Sequence, residues 1–320
     1  MYEDFFGLRE RPFDLTPNPR FIYLSECHLE ALSVVHYGIV GRKGITLVVG
    51  EAGTGKTTVI RTALEAIAQS TTRCVYLSNP TLTRSEFYEF LAASFGLTNE
   101  AGGSKAKFLI EFERLLQQRS KAKEVTALVI DEAQSLSLEL MEEVRLLANL
   151  ETVAEKLLPV VLAGQPELAE MLERQELRQL KQRVALRADL TPLALGQVAA
   201  YVAGRIRKAG GDPVQVFTRD AIMSVHRASR GIPRTISIVC DNAMLAGFAA
   251  GVKPVGSDLV EEVSRDFRLR PAGVPVASSW PPTSPSHRGH SWTSRQGEAA
   301  EPGGAPSHRQ LRPGAAESSR

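Results

Sequence analysis

Residues 45 to 58 constrain this chain more than any other stretch. Ile45-Thr46-Leu47-Val48-Val49 is a short apolar run of strand length, and it passes without a spacer into Gly50-Glu51-Ala52-Gly53-Thr54-Gly55-Lys56-Thr57, then Thr58. Apolar runs of this kind mark strands covered on both faces, the condition of a parallel sheet between helices. Glycines directly after such a strand let the backbone turn its amides inward, and a helix starting at Lys56 adds the positive end of its dipole at the same point. The pattern G-x-x-x-x-G-K-[ST] between strand and helix is thus a phosphate cradle. Gly50, Glu51, Ala52, Gly53, Thr54 and Gly55 supply its backbone. Lys56 reaches β- and γ-phosphates, and Thr57 offers a hydroxyl to Mg2+. Thr58 either supports the α-phosphate or packs in the first turn.

Val125 to Ile130 is a second buried-strand run, and it closes on Asp131-Glu132. Ligands of parallel α/β sheets collect at the carboxyl edge, where this acidic pair falls. Asp131 is placed to hold Mg2+, and Glu132 to orient and polarise the water that attacks a γ-phosphate. The competing account of the pair is a helix cap followed by a first-turn acid. Gln165 follows a further strand, Leu158 to Ala163, and is either a polar contact to the attacked phosphate or a turn residue before Pro166. Arg183 lies past that last expected strand, where its guanidinium serves a neighbouring subunit's phosphate or a surface ion pair. Arg234, in Gly231-Ile232-Pro233-Arg234, opens a helix and either contacts nucleotide or packs on its own domain. His28 is a packed, satisfied histidine or a stacking partner for adenine. No Ser-His-Asp or Cys-His spacing competes with nucleotide hydrolysis.

Strand and helix patterns alternate from residue 26 to about 190: helices near 26–40, 56–68, 84–95, 105–119 and 138–150, and strands at 45–49, 73–77, 125–130 and 158–163. That alternation predicts an α/β fold, a P-loop parallel sheet sandwiched by helices. After a change of character at Ala188 to Thr191, the segments near 195–209, 218–229, 233–249 and 256–267 all have helical periodicity, as a small all-α lid would. The expected organisation is an aromatic and Pro-rich arm (1–25), a nucleotide-binding domain (26–190), a helical lid (191–270) and a disordered tail (271–320). The tail is crowded with Pro, Ser and Gly and has too few large apolar residues to offset its ordering entropy.

Charge limits the partners. Of 38 basic and 36 acidic residues, the tail takes five arginines and three acids, which leaves residues 1–270 with equal numbers of each. Binding to nucleic acid through phosphate neutralisation rests on a basic excess, and this body has none; only Arg174, Arg178, Lys181, Arg183 and Arg187 form a local basic stretch. Cys27, Cys74 and Cys240 lack zinc-site spacing and are expected as reduced thiols. No run approaches the roughly 20 apolar residues of a membrane span, and the first residues lack a signal-peptide pattern. A cytoplasmic protein is expected.

The chain resembles the general secretion pathway protein A, or ExeA-like, AAA+ ATPases. The resemblance rests on Met1-Tyr2, Phe5-Phe6-Gly7-Leu8, Pro12-Phe13, Pro17-Asn18-Pro19, Gly50 to Thr58, Asp131-Glu132-Ala133-Gln134, Leu162 to Leu168 and Gly231 to Arg234, and spans residues 1–268. It implies Lys56 and Thr57 as the Walker A residues and Asp131 and Glu132 as Walker B. It also implies Gln165 as first sensor, Arg183 as arginine finger and Arg234 as second sensor, with ATP and Mg2+ as ligands in a homo-oligomer. It implies, further, ATP-driven assembly of a cell-envelope machine, of the type II secretion, type IV pilus or polysaccharide and exosortase export kind. Full-length secretion members continue into a transmembrane helix and a peptidoglycan-binding domain, where this chain has its Pro/Ser-rich tail. Action through a membrane-anchored partner follows. The alternative is a DNA-linked ATPase of the transposition or replication-regulator kind, which the neutral body disfavours.

Overall fold

The computed structural model describes residues 1–15, 19–68, 71–153 and 155–267. Five parallel strands form one sheet in the order β2-β3-β4-β1-β5: β1 is Ile45–Gly50, β2 Thr72–Leu77, β3 Val125–Ile130, β4 Val160–Gly164 and β5 Val184–Leu190. The three central strands, β1, β3 and β4, are buried at every residue, which is why their sequences are almost wholly apolar. Successive side chains go to opposite faces. Leu47, Val49, Leu128, Ile130 and Leu162 join the core under helices Arg84–Phe95, Lys105–Lys121 and Leu138–Leu147. Val48, Val129, Val161 and Ala163 join the core under helices Glu26–Val40 and Lys56–Ile67.

The sequence expects four strands, and the structure has a fifth. β5 reads Val-Ala-Leu-Arg-Ala-Asp-Leu, and its charged Arg187 and Asp189 pair with each other on the exposed side. Its half-polar alternation suits an edge strand, in contrast to the apolar runs of the interior. Two expectations change with it. Arg183 does not lie past the last strand; it stands immediately before β5, with Ile45 N donating to its carbonyl at 3.3 Å. Ala188, Asp189 and Leu190 are strand residues, so the switch to helices comes after Leu190.

Beyond the sheet, helices Leu195–Lys208, Arg219–Ser229, Pro233–Ala250 and Ser257–Asp266 surround a separate core. The aromatic arm belongs to that core. Tyr2, Phe6, Leu8, Phe13 and Phe21 are buried among Val202, Ile206, Val239 and Met244. Arg9 N bonds Ala209 O at 2.8 Å, Lys253 Nζ bonds Phe5 O at 2.9 Å, and the Tyr2 hydroxyl donates to Asp241. Within the arm, Glu3–Phe6 forms a helical turn. No helix among the described residues is long and apolar enough to cross a membrane. The expectations for the tail, 271–320, lie outside the described residues.

Candidate nucleotide site

β1 delivers its last residue, Gly50, to the carboxyl edge of the sheet, and the chain then curls back into helix Lys56–Ile67. The curl requires left-handed backbone at Gly53 (φ 84°) and Gly55 (φ 102°), where any side chain would be strained. Inside it, the Lys56 ammonium is buried and donates to the carbonyls of Gly50 (2.8 Å) and Glu51 (3.1 Å). Burial lowers its pKa, and the nearby carboxylates of Glu132 and Asp131 oppose that shift. Thr54 is fully buried and donates to Glu51 O at 2.8 Å, so its side chain shapes the loop instead of facing a ligand. Glu51, Ala52 and Thr58 are exposed.

β3 lies two strands from β1 and carries Asp131 to the same edge. The Thr57 hydroxyl donates to Asp131 Oδ2 at 2.7 Å, and Asp131 Oδ1 accepts from Glu132 N at 3.0 Å. Tyr76, on β2, also donates to Asp131 Oδ2 at 2.7 Å; burial and the Asp131 carboxylate raise its phenol pKa above the ordinary range. The pair Thr57 and Asp131 is an all-oxygen donor set of one hydroxyl and one carboxylate, which fits Mg2+ bound jointly with phosphate and water. Glu132 adopts left-handed backbone (φ 53°), and its Oε2 accepts from Gln134 Nε2 at 2.5 Å and Gln165 Nε2 at 3.2 Å. Gln165 is therefore more than a turn residue, since β4 sets it beside β3 with its amide on Glu132.

The helical part meets the loop from the other side. Arg234 N donates to Gly53 O at 3.3 Å, and a Cβ added to Gly53 would stand 2.9 Å from Arg234 Cβ. A cavity of about 360 Å³ opens between Thr54, Gly55, Thr57 and Thr58 of the loop, Tyr23 of the arm, and Tyr201 and Arg205 of helix Leu195–Lys208. The Arg205 guanidinium lies over the Phe21 and Tyr201 rings, 5.5 and 5.1 Å from their centroids. His28 closes this side as a packed, satisfied histidine. Ser25 N donates to its Nδ1 at 3.3 Å and Thr54 O is 2.8 Å from its Nε2, which sets the neutral Nε2–H tautomer. Burial lowers its pKa accordingly.

The structure brings together Gly50 to Thr57, Asp131, Glu132, Gln165 and Arg234. It does not bring Arg183 to them. Register pairs Ile45 with Val184, so Arg183 sits at the amino edge, at the opposite end of β1 from Gly50. It is exposed there. Tyr76, Tyr23, Tyr201 and Arg205 at this site escape a reading by motif, and Gln134 stands in the motif Asp131-Glu132-Ala133-Gln134 without a role; knowing that β2 borders β3 would have exposed Tyr76.

A phosphate loop at the end of a central parallel strand, with an acidic pair at the end of the next strand but one and a helical part against the loop, defines a P-loop protein of the AAA class. A profile described as AAA domain matches residues 40–172. Within that class the chain is a homologue of general secretion pathway protein A of Aeromonas hydrophila, to which it is 45% identical over 253 residues, 78% of this chain and 46% of that protein. The chain thus spans about half the length of the curated relative it matches. Solved structures with the same fold include Aeropyrum pernix ORC2 (TM-score 0.57, 16% identity, 80% of this chain and 71% of that one). Drosophila ORC bound to DNA gives 0.60, 18%, 80% and 64%. Cdc6p from Pyrobaculum aerophilum gives 0.58, 16%, 80% and 70%.

Proposed function

We propose that the chain binds ATP with Mg2+ and hydrolyses it, and uses the cycle to remodel a membrane-anchored partner during assembly of a cell-envelope machine. The observation that carries the chemical half is the convergence of Lys56, Thr57, Asp131, Glu132 and Gln165 around one glycine loop. In this reading Lys56 exchanges its two carbonyl partners for β- and γ-phosphate oxygens. Thr57 and Asp131 would hold Mg2+, which when bound neutralises charge on those phosphates. Glu132 takes the proton of the attacking water, and Gln165 turns its amide to the γ-phosphate. The helical part (191–270) acts as a lid on the nucleotide domain (26–190), because Arg234 and Gly53 already touch. Arg183, remote from its own loop, serves only the site of a second copy.

The envelope role is supported by the Aeromonas relative and by the neutral charge of the body, and the working place is the cytoplasmic side of the inner membrane. A direct test compares steady-state ATPase rates alone, with duplex DNA at moderate salt, and with detergent-solubilised inner-membrane protein from cells carrying or lacking the envelope genes. Stimulation by the first extract only is expected. Salt-sensitive stimulation by DNA would replace this role with the DNA-linked one.

A further inference from the structure

Gln134 has no assigned part in hydrolysis, yet both ends of its amide are used at the site. Its Nε2 donates to Glu132 Oε2 at 2.5 Å, and its Oε1 accepts from Gln165 N at 3.1 Å. Only one orientation of the amide satisfies both partners, one a carboxylate and the other an N–H, so the side chain is locked between the ends of β3 and β4. The backbone makes room for it: a Cβ on Gly164 would stand 2.6 Å from Gln134 Oε1, so an alanine there would expel the amide. Gln165 holds the same Glu132 oxygen through one longer bond, 3.2 Å, and among the described residues its side chain has no second anchor of that kind.

We infer that Gln134 is a positioning residue for Glu132: it keeps the carboxylate tied to the end of β4 while Gln165 lets go to engage the γ-phosphate. The inference rests on the ATPase reading above. The two amides divide the labour because one oxygen cannot be steered by a donor that must also leave. Held on one oxygen by Gln134, Glu132 keeps its other oxygen for the water. Loss of the tether lets the carboxylate swing about its left-handed backbone, and misplacement of a catalytic group by about 1 Å costs on the order of 100-fold in rate.

The test uses the full chain carrying Gln134→Met, which keeps length and bulk and removes both hydrogen bonds, and Gln134→Glu, which can still accept from Gln165 N but sets a like charge on Glu132. The expected result is a fall in kcat of roughly 10- to 100-fold for Gln134→Met, with KM for ATP and equilibrium nucleotide affinity within about 2-fold of wild type. Gln134→Glu should fall at least as far. In a Glu132→Gln background, Gln134→Met should change the residual rate less than 2-fold, because no carboxylate is left to position. Wild-type kcat in either single variant overturns the inference, as does a rise in KM alone. A loss that multiplies fully onto Glu132→Gln also overturns it, since that is the mark of a general structural role. Absence of turnover in the wild-type chain would sink the ATPase reading itself, and wild-type turnover in Glu132→Gln would remove the carboxylate that Gln134 is said to position, so these failures are told apart from that of Gln134.

Discussion

Gly53 is where the loop and the helical part meet, and Gly53→Ala gives the sharpest structural prediction. Two costs add. The residue sits at φ 84°, left-handed backbone that costs a non-glycine residue about 1–2 kcal/mol. The new methyl would also lie 2.9 Å from Arg234 Cβ and 3.1 Å from Ile232 Cγ2, atoms close to the backbone of a helix start that cannot swing away. Overpacking of this kind costs about 1–3 kcal/mol. At about 2–4 °C per kcal/mol for a chain of this size, the expected fall in Tm is roughly 4–20 °C. The same displacement loosens the bond from Arg234 N to Gly53 O and moves the phosphate cradle, so nucleotide affinity should fall by about 10-fold or more. Differential scanning fluorimetry and titration with a fluorescent ATP analogue measure both. Gly196→Ala is the control: it lies in helix Leu195–Lys208 with no atom within 4 Å of the added Cβ, and should raise stability by about 0.5–1 kcal/mol. A Gly53→Ala protein within 1–2 °C of wild type, with unchanged affinity, would refute the reasoning.

Three further expectations follow. Thr57→Ala removes the hydroxyl that bonds Asp131 and should lower the Mg2+-dependent part of ATP affinity by about 10-fold, measured by calorimetry with and without the metal, while metal-free binding stays near wild type. His28 is buried and neutral with its pKa lowered from the usual 6.5, so the unfolded chain takes up this proton at higher pH than the folded one. Its contribution to stability is therefore present above pH 6.5 and lost as pH falls below it, and Tm should drop less between pH 7.5 and 5.5 in His28→Gln than in wild type. Arg183→Ala should bind nucleotide normally yet lose most of any concentration-dependent ATPase rate. Mixing it with Lys56→Ala should restore activity, because each copy supplies what the other lacks.

The sequence makes legible what short-range chemistry dictates. β1, β3 and β4 stand out because burial on both faces demands apolar residues throughout, and the loop after β1 stands out because phosphate binding demands glycines, a lysine and a hydroxyl at fixed spacing. β5 is obscured because an edge strand tolerates Arg187 and Asp189 between its apolar residues, and Arg183 is displaced in the expectation along with it. Contacts that cross the chain leave no local mark. Tyr23 and Tyr201 have ring centroids 5.7 Å apart across 178 positions, and Tyr76 reaches Asp131 across 55. Gln134 is visible in the motif Asp131-Glu132-Ala133-Gln134, but its task depends on β4 lying beside β3 and on Gly164 having no side chain.

The central claim is that one constellation both holds and cleaves ATP, with Glu132 acting in cleavage alone. Glu132→Gln separates the two. ATP affinity measured by equilibrium binding should stay within about 3-fold of wild type, and phosphate release over the same hour should fall at least 100-fold. Phosphate release at the wild-type rate in Glu132→Gln, with binding intact, would contradict the account.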